Sequence, residues 1–211
     1  VSRIFAIGDI HGCYGKLLDL LDKIDIDTST DTLIFLGDYI DRGGASFEVV
    51  ELLIEIRSQM SSSIFLKGNH EEMFLNYLAD KDRLLYLMNG GNQTVESYLN
   101  HHSEVNSPIL PPKHLDFFNS LRLSYQTDNH LFVHAGLRPQ VAFEKQDPHD
   151  FLWIRDEFIR SDHPFEKQVV FGHTPFSEPL VRPNKIGIDT GAVYGNKLTC
   201  LKLPELVFYQ S

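Results

Sequence analysis

The sequence predicts an α/β fold in which two packed β-sheets carry helices on the outside. Two observations support this. In the first third, RIFAIGD, TLIFLGD and SIFLKGN are each a short apolar run ending in Gly followed by Asp or Asn, and helical periodicity separates them. From Leu121 onward the pattern changes to many short strand-like runs joined by turns.

Short continuous apolar runs bounded by glycine are the mark of buried, parallel strands. Leu17, Leu20, Leu21 and Ile24 recur at i, i+3, i+4, i+7 between the first two runs, and Val49, Leu52, Leu53 and Ile56 do so between the second and third. Each set therefore lies on one helix face. The order strand–helix–strand–helix–strand is a double βαβ unit with right-handed crossovers. NHEEMFLNYLAD reads as a helix opening at Asn69 or His70, GGNQTVESYLN as a short helix after a glycine turn, SPILPP as a break, and KHLDFFNSL as a further helix. LRLSYQ and HLFVHAG flank TDN as a hairpin. HDFLWIRDEFI reads as one helix, and VVFGH, PLVRP, KIGIDTG, KLTCLKL and LVFYQ read as strands, taken as antiparallel. No stretch rich in Ser, Gly or Pro divides the chain, so residues 1–211 are expected to form a single domain.

Composition narrows the partners. The 211 residues are 42% hydrophobic and 11% aromatic, enough for a substantial core, and the formal net charge is −10. That balance argues against a broad nucleic-acid-binding face, which needs clustered Lys and Arg. No apolar run approaches the roughly 18 residues of a membrane span. Two lone cysteines, Cys13 and Cys200, and no visible secretory pattern make a reducing, cytoplasmic setting the expectation.

Candidate chemistry sits at the strand ends. In GDIHG, Asp9 and His11 are two apart and can bind one cation together. The second and third runs end at Asp38 and Asn69. The ends of parallel strands share one edge, where ligands bind. His134 in LFVHAG and His173 in VVFGH each end an apolar run in the same way. Either His alone would read as a satisfied core residue, but five strand ends each delivering a ligand-type residue do not. Carboxylate, imidazole and amide oxygen suit a transition metal or Mn²⁺. Six candidates exceed what one Zn²⁺ takes up, and a carboxylate can bridge two cations, so a two-metal centre fits better. His70 is a candidate general acid with Asp41 as its orienting carboxylate. Arg42 and Arg155 are candidate phosphate binders. Ion pairs of Arg42 with Asp41, and of Arg155 with Asp156 or Glu157, are the ordinary alternatives. Asp189 and Gly191 read as a structural turn near the pocket rim, and His101, His102, His114, His149 and His163 are set aside.

GDIHG (Gly8–Gly12), GDYIDRG (Gly37–Gly43) and GNHE (Gly68–Glu71) resemble, in order and spacing, the three defining motifs of the phosphoprotein phosphatase family of metallophosphoesterases. VHAG and FGHTP resemble its later His motifs. WIRDE, FGHTP and IDTGAV look closest to the bacterial and bacteriophage lambda-type protein phosphatases. The resemblance implies two mixed β-sheets in a four-layer sandwich with helices on both outer faces. It also implies two divalent metal ions, Mn²⁺ foremost, with iron or zinc possible in cells. Asp9 and His11 would bind the first, Asp38 would bridge both, and Asn69, His134 and His173 would complete the second. His70 paired with Asp41 would be the acid, and Arg42 and Arg155 would hold the phosphate.

The implied activity is hydrolysis of a phosphorylated protein, or of a small phosphoester, by in-line attack of a hydroxide bridging the metals. Phosphoserine and phosphothreonine head the substrates, with dual specificity possible. Symmetrical diadenosine tetraphosphatases share GDIHGC and are the alternative, although they are usually longer than this chain. A non-catalytic scaffold binding phosphorylated partners is a further reading, but such a protein would lack a ligand or the acid, and none is missing here. Residues 71–120 match no motif and are expected to form a helical insertion bearing on substrate choice.

Overall fold

Apolar alternation builds the strands of both sheets, seen in a computed structural model that describes residues 3–102 and 110–211. In β1 (Ile4–Ile7) and β2 (Thr32–Phe35), Phe5, Ile7, Leu33 and Phe35 face one side, and Ala6 and Ile34 face the other. The first set packs with Leu17 and Leu20 of α1 (Tyr14–Lys23), Val49 and Leu53 of α2 (Ser46–Gln59), and Met73 of α3 (Asn69–Leu78). The second set meets Phe132 of β5 (His130–Val133) and Val170 of β6 (Gln168–Phe171) between the sheets. Leu131, Val133, Val169 and Phe171 point the other way, onto Phe151 of α7 (Pro148–Trp153) and Phe158 of α8 (Asp156–Ile159). The result is the expected layering of helices, sheet, sheet and helices. Phe5, Phe35 and Phe132 are fully buried, each contributing roughly 1.5–3 kcal/mol of transfer free energy.

The first sheet runs β10-β9-β1-β2-β3, with β3 at Ser63–Phe65, β9 at Thr199–Leu203 and β10 at Val207–Gln210. β1, β2 and β3 are parallel, and β9 is antiparallel to β1. The second sheet runs β4-β5-β6-β8-β7, with β4 at Ser124–Gln126, β7 at Leu180–Arg182 and β8 at Lys185–Gly187. The β4–β5 and β7–β8 pairs are the expected antiparallel hairpins, but β5, β6 and β8 are parallel. The later strands are thus mixed rather than antiparallel, and their short apolar runs carry no direction that could be read beforehand. Parallel strands in both sheets point their carboxyl ends at one rim.

One helical expectation needs correcting. HDFLWIRDEFI is broken at Ile154 and Arg155 into α7 and α8. Ile154 is extended (ψ 139°), and Arg155 has φ −129° and ψ −100°. Within 71–120, α4 (Arg83–Tyr86) and α5 (Asn92–Asn100) meet across a kink at Gly90 (φ 99°, ψ 8°), the glycine turn expected there, and α6 spans Pro112–Asn119. The expected break at SPILPP falls partly outside the described residues. No helix among the described residues is long and apolar enough to cross a membrane.

Candidate metal centre

Each strand end turns sharply to present its side chain. His11, Asp38, Asp41, Arg42 and His173 all have positive φ, between 46° and 73°, without being glycine. Left-handed backbone at such residues costs about 1 kcal/mol or more apiece and gathers at functional sites. Hydrogen bonds hold these turns together. The Asp38 carbonyl accepts N–H bonds from Ile10 and His11 at 3.0 and 2.9 Å, joining the first two strand ends. The His70 N–H donates to Asp38 Oδ1 at 3.1 Å, joining the second and third. The His173 N–H donates to both Asp9 oxygens, at 3.1 and 3.0 Å, joining the two sheets. At Gly68 a Cβ would sit 2.1 Å from Asp38 Oδ1, so no other residue fits against that carboxylate.

Asp9, His11, Asp38, Asn69, His70, His134 and His173 are all buried at this rim. Two triads form around Asp38, one with His11 and His70 and one with His134 and His173, and the potential ligand atoms within each lie within 4.8 Å of one another. Asp38 offers Oδ2 to His11 Nε2 at 3.5 Å and Oδ1 to His134 Nε2 at 3.4 Å, one oxygen to each triad. Asn69 Oδ1 lies 3.1 Å from His134 Nε2. Asp9 lies outside both triads, with its carboxylate on the His173 amide.

The donor set fits divalent cations. His11 Nδ1 meets the Ile40 carbonyl at 2.8 Å, and His134 Nδ1 meets the Leu36 carbonyl at 2.9 Å. Each carbonyl holds a proton on Nδ1 and aims Nε2 inward, the usual outer support of a ligating imidazole. His173 Nε2 is buried and has no hydrogen-bond partner. The electrostatics agree. Burial, then the charge of Asp189, pushes Asp9 well above the usual carboxylate range. Burial pushes His11 down to about 3, and burial with the neighbouring His134 pushes His173 down to about 2. At His134 the opposing effect of burial is outweighed by Asp38, which lifts it to about 9. At Asp38 the imidazoles likewise outweigh burial and hold it well below the usual range. Buried carboxylates and imidazoles compete for protons here, and a cation would relieve that competition.

The remaining candidates are distributed as follows. His70 Nδ1 lies 2.7 Å from Asp41 Oδ2, both residues being buried. Arg42 does not pair with Asp41. Its guanidinium contacts His11 Nε2 at 2.6 Å and lies over the exposed Tyr194 ring at 5.7 Å. Arg155 is exposed, and its charge bears on His173. Its sequence neighbours are engaged elsewhere, Asp156 with Arg160 at 3.2 Å and Glu157 with Arg138 at 2.5 Å. Among the described residues no ion pair holds Arg155.

Sequence reasoning missed Glu71 and underrated Asp189, whereas His114, set aside there, lies away from the site. Glu71, fully buried, accepts the N–H groups of Asp38 (2.9 Å), Tyr39 (2.8 Å) and Gly68 (2.9 Å). Its position at N3 of α3 was the available signal. Asp189 is more than a turn residue. It accepts the Gly191 N–H at 2.9 Å, is buried, and is raised to about 6 by that burial, with Asp38 adding to the rise. His114, set aside as context-free, is fully buried between Tyr98 Oη and Glu51. It serves the helical core, not the site.

A rim of strand ends gathering two buried Asp/His triads defines a metal-dependent phosphoesterase hydrolase. The chain belongs to the calcineurin-like phosphoesterase family, which it matches over residues 2–203. It is 32% identical to serine/threonine-protein phosphatase 1 of Salmonella typhimurium over 95% of this chain and 92% of that one. It is 28% identical to the asymmetrical bis(5'-nucleosyl)-tetraphosphatase PrpE of Bacillus mycoides over 95% and 90%. A crystal structure of a candidate diadenosine tetraphosphatase superposes with a TM-score of 0.77 at 23% identity, covering 100% of this chain and 93% of that one. These PrpE relatives are asymmetrical enzymes, in contrast to the symmetrical type that is the alternative from sequence.

Proposed function

We propose that the chain is a single metallophosphoesterase domain acting as a phosphomonoester hydrolase, and specifically as a serine/threonine protein phosphatase. The observation that carries the monoester reading is the buried His70–Asp41 pair, in which His70, itself one corner of the first triad, is a general acid with its orienting carboxylate already engaged at 2.7 Å. The protein-substrate reading is supported by the Salmonella relative.

Asp9, His11 and Asp38 would hold one divalent cation, and Asp38, Asn69, His134 and His173 a second. Mn²⁺ is the first choice for this nitrogen and oxygen set, with iron or zinc possible. When bound, such cations make water acidic enough to ionise near neutral pH and offset phosphoryl charge. Arg42 and Arg155 bind the phosphoryl oxygens and favour the charge that builds in the transition state. One water is consumed. Its oxygen bonds to phosphorus, the ester P–O bond breaks in line, and the departing oxygen takes a proton from His70 Nε2. Asp41 keeps the His70 ring in place through Nδ1.

A second reading, cleavage of dinucleoside tetraphosphates, is favoured by the PrpE relatives. Metal-stripped protein reloaded with Mn²⁺ should turn over phosphoserine and phosphothreonine peptides and an aryl phosphate. Preference for diadenosine tetraphosphate by orders of magnitude would replace the protein-substrate reading. No turnover of any of them would point to a phosphate-binding scaffold.

A further inference from the structure

Asp41 divides its two carboxylate oxygens between two parts of the molecule. Oδ2 meets His70 Nδ1, while Oδ1 accepts Tyr86 Oη at 2.7 Å and Thr94 Oγ1 at 2.6 Å. Both hydroxyls come from the helical segment that matches no sequence motif, Tyr86 from the end of α4 and Thr94 from α5. Thr94 Oγ1 also accepts the Asp41 N–H at 2.8 Å and lies 3.0 Å from Ser46 Oγ. Tyr86, Thr94, Ser46 and Asp41 are all buried. The segment grips the next residue too, because Gly90 O, at the kink between α4 and α5, accepts the Arg42 N–H at 3.0 Å. Packing leaves no slack behind Tyr86: a Cβ on Gly91 would lie 2.4 Å from its ring.

We infer that Tyr86 and Thr94 are positioning residues for proton delivery, making residues 83–100 part of the catalytic apparatus and not only a wall facing substrate. The inference rests on the reading of His70 as the acid. A carboxylate with Oδ1 held by two donors has a single orientation, which aims Oδ2 at Nδ1 and fixes the ring plane. Without those donors Asp41 can rotate, and Nε2 strays from the departing oxygen. The loss falls hardest on substrates whose leaving group needs a proton in order to depart. An alkyl ester such as a phosphoserine peptide is of that kind, and p-nitrophenyl phosphate is much less so.

The test compares kcat for these two substrates in Mn²⁺-loaded enzyme. In Tyr86→Phe and Thr94→Val, the alkyl-to-aryl ratio of kcat should fall roughly tenfold, part of the 10²–10⁴ that general acid catalysis supplies, with KM little changed. Thr94→Ser keeps the hydroxyl and should restore the ratio. An equal fall on both substrates, an unchanged ratio, or a Thr94→Ser variant no better than Thr94→Val overturns the inference. If Tyr86→Phe does not fold, the two Thr94 variants decide alone. His70→Asn separates the two levels. If it leaves the ratio unchanged, the acid assignment falls and takes this inference with it. If it lowers the ratio while the Thr94 pair does not differ, only the positioning role falls.

Discussion

Arg42 presses its guanidinium against the inward-facing nitrogen of His11, at 2.6 Å, while the other nitrogen of that ring is held by the Ile40 carbonyl. The same lone pair belongs to the first triad, so the guanidinium and a divalent cation compete for it. Removing the guanidinium should strengthen cation binding and weaken phosphate binding together. Arg42→Gln should bind Mn²⁺ several-fold more tightly by titration calorimetry on metal-stripped protein. Its KM for an aryl phosphate should rise at least about tenfold, consistent with a lost charge-assisted contact of roughly 1.5–3 kcal/mol.

Glu71 carries a structural load out of proportion to its single side chain. Glu71→Ala would leave the buried N–H groups of Asp38, Tyr39 and Gly68 without their acceptor. Each unsatisfied donor costs about 1–3 kcal/mol, so the variant should lose about 3 kcal/mol or more, read as a lowered urea midpoint. Metal binding should fail with it, because the turn carrying Asp38 loses its anchor.

Acid stability should depend on Arg3. Hydrogen bonds from the Arg3 guanidinium, including Nε to Oδ1 at 3.0 Å, hold the Asp31 carboxyl below the usual range. A depressed carboxylate contributes stability that is present above its unfolded pKa of about 3.9 and is lost as pH falls through its lower folded value. Arg3→Gln should therefore be less stable than the parent at pH 7. The gap between their urea midpoints should close as the pH is taken below 4.

Neither thiol should matter to turnover. Burial pushes both Cys13 and Cys200 up, away from the reactive thiolate. Cys13 also occupies the N-cap of α1 without a side-chain cap bond, a position that favours serine. Cys13→Ser should retain activity and melt no lower than the parent. Abolished turnover in a folded, metal-loaded variant would rule out direct attack by water.

What could be read from the sequence follows the range of the forces involved. Asp9, His11, Asp38, Asn69, His134 and His173 stood out because each closes an apolar run, and a parallel strand carries its end to a shared rim. The contact of His70 Nδ1 with Asp41 Oδ2 is the one expected between an acid and the carboxylate that would orient it. The break at Arg155 was hidden, because WIRDE has good helix formers and the turn is imposed by packing: Trp153 Nε1 is tied to Glu72 at 2.9 Å and its ring lies edge-on to His173. Tyr86 and Thr94 were hidden as well. A buried hydroxyl in a helix has no periodic signature, and their acceptor lies about fifty positions away in the chain.

The pairing of β1 with β9 sets Ile4 opposite Leu203. The strand that delivers Asp9 and His11 is thus completed on one side by residues 199 positions further along the chain. On a ribosome, β1 emerges before β9 and keeps an open edge until residues 199–203 follow. Long-range pairings of this kind close slowly and leave strand edges exposed meanwhile. A nascent chain arrested before residue 199 would hold all six candidate ligand residues with the first sheet unfinished. Activity should therefore appear only once β9 has emerged and paired, and chaperone demand should peak just before it.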